Sequence, residues 1–170
     1  MNRFTPFALL IAGALAVGFV GTGCQKDDKD HDKSANKKVD SGKTLWARLG
    51  GEKAVTAVVD DFVGRAASNP KVNFFRKNVP GVTEWKPTDA EVARLKRLLV
   101  EFISSASGGP LKYTGRSMES SHRGMKITNA EFDAIAGDLS ASLDKFKVPK
   151  KEKDELMAAV GGTRGTIVGK

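Results

Sequence analysis

Two capping boxes, each followed by apolar residues at helical spacing, constrain the fold of this chain most strongly. Thr88 precedes Glu91 by three residues, and Thr128 precedes Glu131 by the same interval. In such a pair the threonine hydroxyl caps the first turn of a helix and the glutamate reaches back to the threonine N–H. The apolar residues that follow are Val92, Leu95, Leu99, Phe102, Ile103 and Ala106 in the first case, and Phe132, Ile135, Ala136, Leu139, Leu143 and Phe146 in the second. We therefore predict two long amphipathic helices.

Further helices are predicted on both sides of these two. A short helix over Thr44 to Leu49 is expected to end at Gly50–Gly51, and a longer one is expected to stop near Asn69–Pro70. The longer helix carries the apolar stripe Val55, Val58, Val59, Phe62 and Val63. No segment shows the alternation typical of a strand, so the fold class is all-α.

The connections and the C-terminal part are less regular. Val72, Phe74 and Phe75 form an apolar corner, and Asn78 to Pro87 is rich in Pro, Gly and polar residues, as loops are. Pro149 is expected to start a last helix with Leu156, Val160 and Ile167 on its apolar face. Gly161, Gly162 and Gly165 weaken this helix, so we expect fraying towards the C-terminus.

Residues 1–23 have the layout of a secretory signal, with Arg3, an apolar run from Phe7 to Val20 and small residues before Cys24. Gly21–Thr22–Gly23–Cys24 resembles a bacterial lipobox, although Gly21 stands where a larger aliphatic residue is usual. We expect lipidation at Cys24 and an exported lipoprotein of the cell envelope that faces the periplasm. The alternative is an uncleaved N-terminal membrane anchor, because about 20 residues suffice to span a bilayer.

Residues 24–43 are almost wholly charged or small and are expected to form a disordered tether, which leaves one domain over 44–170. His31 belongs to this tether, and a solvated histidine is favoured there over a weak metal site. The net charge of +8 is spread at helical spacing with no aromatic platform beside it, so nucleic acid is not expected as a partner. Cys24 is the only cysteine, which excludes an intrachain disulfide. We expect a monomer.

The segment Gly108–Thr128 contains His122, the only histidine outside the tether. Gly108–Gly109–Pro110, Gly115 and Gly124 divide this segment into a short helical turn. Ser117 can cap the turn, and Met118 and His122 lie four residues apart on one helical face. By itself this arrangement fits either a hydrogen-bonded structural histidine or an iron ligand.

Residues 44–168 resemble group I of the truncated haemoglobins, which fold as a two-over-two helical sandwich around haem. The resemblance rests on matching residues in the order of the family. They are Leu49–Gly50–Gly51, Asp61–Phe62, Phe74–Phe75, Gly108–Gly109–Pro110, Tyr113–Thr114–Gly115, Met118, His122, Gly124, Ile127–Thr128, Phe132 and Thr163–Arg164.

The resemblance implies haem b as cofactor and His122 as the proximal iron ligand. The other ring N–H of such a histidine usually donates to a carbonyl, here one near Met118. Phe75 would pack on the haem face, and Met118, Ile127, Phe132 and Leu139 would line the proximal side. Arg116, Arg123 and Lys126 lie close enough in sequence to pair with the haem propionates.

The distal side implied by the resemblance comprises Phe62, Val63, Leu95, Leu99 and Phe102. Val63 stands where the family usually has tyrosine, and Leu99 stands where many members have glutamine. A distal hydrogen-bond donor would stabilise bound dioxygen by about 1–3 kcal/mol. We therefore expect an apolar distal pocket that holds CO or NO well and O2 less firmly. The loop from Asn78 to Pro87 could also fold Trp85, Asn78 or Lys86 over the opening of the distal pocket. The alternative is that this loop is a surface insertion.

The function that follows is reversible binding of a diatomic gas, O2, NO or CO. The alternatives are a haem enzyme, such as an NO dioxygenase or nitrite reductase, and an electron or haem carrier of the envelope. An enzyme would need a separate reductase, and an electron carrier would favour a sixth ligand such as Met125 or a lysine. A haemless helical interaction module is a further alternative if His122 is ordinary core.

Overall fold

A computed structural model describes residues 43–170, in which seven helices and no strand are found. They are α1 (Leu45–Arg48), α2 (Gly51–Ser68), α3 (Asp89–Ala106), α4 (Met118–His122), α5 (Asn129–Lys145), α6 (Lys150–Gly161) and α7 (Arg164–Ile167). The all-α prediction is confirmed. The predicted signal segment, Cys24 and the tether as far as residue 42 lie outside the described residues. Of the helices described, none is long and apolar enough to cross a membrane.

Both predicted capping boxes are formed. The Thr88 hydroxyl accepts the Glu91 N–H at 3.3 Å, and the Glu91 carboxylate accepts the Thr88 N–H at 2.7 Å. Thr128 and Glu131 repeat this exchange at 3.2 and 2.8 Å. Each box pairs backbone N–H groups that the first turn of a helix would otherwise leave without partners, so α3 and α5 begin where the sequence predicts.

The helices pack as two pairs around one core. Helix α2 contacts α3 and α5, α5 also contacts α6, and the short α1 lies against α6. The most deeply buried apolar side chains are Val59, Leu143 and Leu156, from three different helices. The stripe predicted on α2 faces inward, with Val55, Val58, Val59 and Val63 at most 5% exposed.

Helix α1 ends directly before Gly50–Gly51, as predicted, and Gly50, at φ +96°, also precedes the first residue of α2. Two details of the predicted helices are wrong. Ala106 is exposed, because the buried positions at the end of α3 go to Ser104 and Ser107, whose hydroxyls bond the Leu111 N–H and the Ile103 carbonyl. Phe146 is 42% exposed, because it caps α5 and therefore lies beyond the helical repeat.

The expected fraying of the C-terminal segment is also wrong. Residues 126 and 127 pair with the last two residues, since the Lys126 N–H donates to the Lys170 carbonyl at 3.0 Å and the Gly169 N–H donates to the Ile127 carbonyl at 2.9 Å. Ile167 is buried and α7 contacts α4. The glycines divide the predicted last helix into α6 and α7 but do not detach its end, which supports the turn that carries His122.

Candidate functional site

His122 is the last residue of the five-residue helix α4. Ser117 caps this helix as predicted, because its hydroxyl accepts the Ser120 N–H at 3.1 Å. Gly124, at φ +80°, turns the chain away two residues after His122. Such a left-handed backbone suits glycine, so local sequence ends the helix directly after the histidine.

The imidazole of His122 is held in one orientation by the carbonyl of Met118, 2.7 Å from Nδ1. A carbonyl can only accept, so Nδ1 carries a proton in this contact, and the neutral form of the ring has its lone pair on Nε2. Nε2 has no hydrogen-bond partner in residues 43–170, and the side chain is half-buried. The expected acceptor near Met118 is confirmed, and the ring is oriented as a histidine ligand requires.

The residues around His122 fit haem. A neutral imidazole with a free Nε2 would supply the nitrogen ligand that haem iron takes from a globin. Haem is otherwise a flat, largely apolar group, and large apolar side chains are left only half-buried on the loop before α3, on α3 itself and around α4. They are Phe75, Leu95, Leu99, Phe102, Met118 and Ile127. Each of these side chains keeps an exposed part that a cofactor could cover, although Leu99 also packs against the core.

Two predicted proximal residues lie deeper. Phe132 and Leu139, both in α5, are each 3% exposed. The Arg164 guanidinium lies 4.4 Å from the centre of the Phe132 ring. It also donates to Asn129 Oδ1 at 2.9 Å and pairs with the Asp133 carboxylate. The cationic face of Arg164 thus connects α7 to the start of α5, behind the turn that carries His122.

The predicted distal residues carry no hydrogen-bonding side-chain group. Val63 is 4% exposed and belongs to the core, whereas Phe62, Leu95, Leu99 and Phe102 are half-buried. Phe102 packs edge-on against Tyr113, with ring centres 5.8 Å apart. The five side chains are therefore a wholly apolar set, divided between α2 and α3.

The loop between Phe75 and α3 folds back on itself. The Trp85 N–H donates to the Phe75 carbonyl at 2.9 Å, and the Trp85 ring lies 5.6 Å from Phe74 and 6.3 Å from Phe75. Asn78 and Lys86 are exposed, as a surface insertion predicts. Trp85 is instead half-buried beside the phenylalanine expected on the haem face.

The three basic residues proposed for the propionates have different surroundings. Arg123 pairs with Glu119 at 3.2 Å, and Lys126 Nζ donates to the Pro80 carbonyl at 2.7 Å. Arg116 is exposed, and its guanidinium has no partner in the described part of the chain. Arg116 is thus the one whose charge is available without breaking an existing contact.

Two buried ionic residues that adjoin predicted site residues in the sequence were missed by the sequence reasoning. Glu101 in α3 is 8% exposed, and Arg76, directly after Phe75, is 6% exposed. Hydrogen bonds from the Thr114 hydroxyl and N–H hold the pKa of Glu101 below its usual range. The only sequence signal for Glu101 is its place as the single charged residue in the apolar run Leu98–Ile103. Nothing in the sequence marks Arg76.

An open groove of about 740 Å³ lies between α2 and α3 but is not the haem site. None of the predicted haem-pocket residues lines it. Its walls carry the Lys96–Asp60 ion pair, with Nζ and Oδ1 2.9 Å apart, and the Arg97–Glu101 pair. Charged walls of this kind suit solvent better than an apolar macrocycle.

The chain is similar in sequence to known globins. Residues 44–168 match the family model of the bacterial-like globins. The chain is 31% identical over 127 residues to the group 1 truncated haemoglobin of Tetrahymena pyriformis, an alignment that covers 75% of this chain and 96% of that protein. It is 32% identical over 117 residues to a group 1 truncated haemoglobin of Mycolicibacterium paratuberculosis, covering 69% and 78% of the two chains.

The fold agrees as well. The crystal structure of the Tetrahymena pyriformis truncated haemoglobin in its Fe(III) form superposes with a TM-score of 0.64 at 30% identity, covering 75% of this chain and 100% of that one. The predicted two-over-two globin architecture is thereby confirmed. The chain belongs to the bacterial-like globin family, among the truncated haemoglobins.

Proposed function

We propose that this protein binds haem b through Nε2 of His122 and reversibly binds a diatomic gas on the opposite face of the haem. The hydrogen bond between His122 Nδ1 and the Met118 carbonyl carries this proposal, because it leaves Nε2 unprotonated and free. Haem supplies the iron at which the gas binds. The chain supplies an oriented imidazole and apolar side chains that exclude water.

Spectroscopy of the purified protein tests the haem ligand. We expect a Soret band that is lost or strongly shifted in His122→Ala and that returns in part when imidazole is added. His31→Ala is the matched control, because it removes the only other histidine in the sequence and should leave the spectrum unchanged. An unaltered Soret band in His122→Ala would refute the assignment.

We further propose that the apolar distal side makes O2 binding weaker than CO or NO binding. Support comes from Val63, Leu95 and Leu99, none of which can donate a hydrogen bond to a bound gas. Dioxygen gains more from a donor than CO does, because it accumulates more negative charge when bound. A pocket without a donor therefore discriminates against O2.

Leu99→Gln tests the distal proposal. Leu99 is half-buried, so a glutamine of similar length fits without overpacking, unlike a tyrosine at the buried Val63. A gained hydrogen bond of about 1–3 kcal/mol would slow O2 dissociation about 5- to 150-fold. Leu99→Met, which has no donor, should leave the rate near wild type. Equal O2 dissociation rates in the glutamine and methionine variants would contradict the proposal.

We also propose that the protein is exported and held at the membrane by its N-terminal segment, as a monomer whose iron is reduced by a separate reductase. The support for export is the apolar run from Phe7 to Val20 before Cys24. Mass spectrometry of the mature N-terminus would detect a lipidated Cys24. An uncleaved anchor would instead leave residues 1–23 attached to an unmodified Cys24.

A further inference from the structure

The carboxylate of Glu101 connects the predicted distal helix to the segment that carries His122. It accepts the Thr114 N–H at 3.0 Å and the Thr114 hydroxyl at 2.7 Å, and it also pairs with Arg97 one turn earlier in α3. Thr114 lies three residues before Ser117, the cap of α4. A buried carboxylate with two such hydrogen bonds fixes the backbone it contacts.

The neighbours of Glu101 and Thr114 in the sequence, Phe102 and Tyr113, make a second contact between α3 and this segment. The Phe102 ring packs edge-on against the Tyr113 ring, and the Tyr113 hydroxyl donates to the Arg116 carbonyl at 2.8 Å. The hydroxyl of Ser121, the neighbour of His122, reaches the same carbonyl at 3.4 Å. Glu101 and Phe102 on α3 therefore contact Thr114 and Tyr113 on the connecting segment. Hydrogen bonds to the Arg116 carbonyl extend these contacts to the turn that carries His122.

Gly115 completes this packing. A Cβ atom placed there would lie 2.3 Å from the Tyr113 hydroxyl oxygen, so the ring can close over the backbone only at a glycine. The segment therefore has little room to shift as long as Tyr113 and Thr114 are held. Contacts with α3, together with the contact of α7 on α4, set its position, since an isolated helix of five residues has little stability.

We propose that Glu101 is a positioning residue for His122, and that it acts through Thr114. This inference rests on the proposed function of His122 as the iron ligand. Glu101 does not contact the imidazole. It holds the segment that places α4, and thus determines where Nε2 points relative to the apolar side chains of α3.

Two readouts on the purified full-length protein test this role. Amide hydrogen exchange at Ser120 and Ser121 reports whether α4 is held, and the iron–imidazole stretching band in the ferrous protein reports how His122 is aligned. In Glu101→Ala we expect exchange about tenfold faster and a shifted band, since one or two net hydrogen bonds are lost. Thr114→Val should act in the same direction with a smaller effect and less risk to folding. Glu101→Gln, which keeps an acceptor oxygen, should restore both readouts towards wild type.

Glu91→Ala is the matched control. Glu91 lies in the same helix and also accepts the N–H and hydroxyl of a threonine, Thr88, at 2.7 and 2.9 Å, but at the opposite end from α4. It should lower stability without altering either readout at His122. Unchanged readouts in Glu101→Ala, or equal changes in Glu91→Ala, would overturn the inference. Absence of a Soret band in the wild type would refute the proposed function instead, and hydrogen exchange would still decide whether Glu101 holds α4.

Discussion

Arg76→Met is expected to destabilise the protein severely, because Arg76 belongs to a buried ion pair. Its Nη1 donates to Glu131 Oε1 at 2.7 Å, and the two side chains are 7% and 16% exposed. Burial acts to raise the pKa of Glu131, but hydrogen bonds from Thr128 and Arg76 outweigh it and leave the pKa lowered. The carboxylate is therefore charged in the folded protein and would lose its cationic partner.

The structure indicates that the loss of stability in Arg76→Met lies at the lower end of the range for a broken buried ion pair. Removing one partner of a buried pair costs about 3–5 kcal/mol. Glu131 would keep both hydrogen bonds from Thr128, at 2.8 and 3.0 Å, and Arg76 Nε already lacks a hydrogen-bond partner among the described residues. We therefore expect a loss of about 3 kcal/mol, with methionine retaining much of the apolar contact of the arginine stem.

Urea denaturation of the haem-saturated protein, followed by circular dichroism, measures this loss. A double-mutant cycle with Glu131→Gln isolates the interaction, because glutamine removes the charge that Arg76 compensates. The double variant should be more stable than Arg76→Met alone. A loss below about 1 kcal/mol in Arg76→Met, the value of an exposed pair, would refute the reasoning, as would a double variant less stable than the single one.

Two further predictions concern stability. Gly109→Ala should cost about 1–3 kcal/mol by overpacking, because its Cβ would lie 2.3 Å from Ser104 Oγ and 2.7 Å from the Trp46 ring. Gly137→Ala, in helix α5 with no atom within 4 Å of the new Cβ, should instead stabilise by about 0.5–1 kcal/mol, and urea denaturation compares the two. The third prediction concerns the loss of stability at low pH. Bonds from a lysine, an arginine and a serine hold the pKa of Asp61 far below its usual range, so its contribution is present above the unfolded pKa of about 3.9 and is lost as the pH falls below it. Thermal melts between neutral pH and about pH 3 should show a shallower acid decline in Asp61→Asn than in wild type, and parallel declines would contradict this assignment.

The helices and the capped turn that carries His122 were predictable because their determinants are local. Thr88 and Thr128 each lie three residues from the glutamate that completes their capping box. His122 lies four residues from the carbonyl that orients it. Interactions of this range depend on helical geometry alone, which periodicity and capping residues reveal in a single sequence.

The sequence predictions failed where contacts between distant segments determine the local structure. The glycines of the C-terminal segment predict fraying, yet Lys126 and Ile127 pair with the last two residues of the chain. Trp85 lies in a polar loop but packs on Phe75 through a backbone bond that spans ten residues. Helix propensity and loop composition describe neither contact, because both depend on which segments the fold brings together.

By itself, the sequence determined an all-α chain, the starts of its long helices, and a short capped turn that carries His122. Only the tertiary structure decided what holds that turn in place. Arg76 meets Glu131 across 55 residues, and Glu101 meets Thr114 across 13. A charged residue is usually solvated, and Arg76 and Glu101 are buried only because distant backbone groups and counter-charges pair with them. That condition is met by the packing of the whole domain and is not readable from the neighbours of either residue in the sequence.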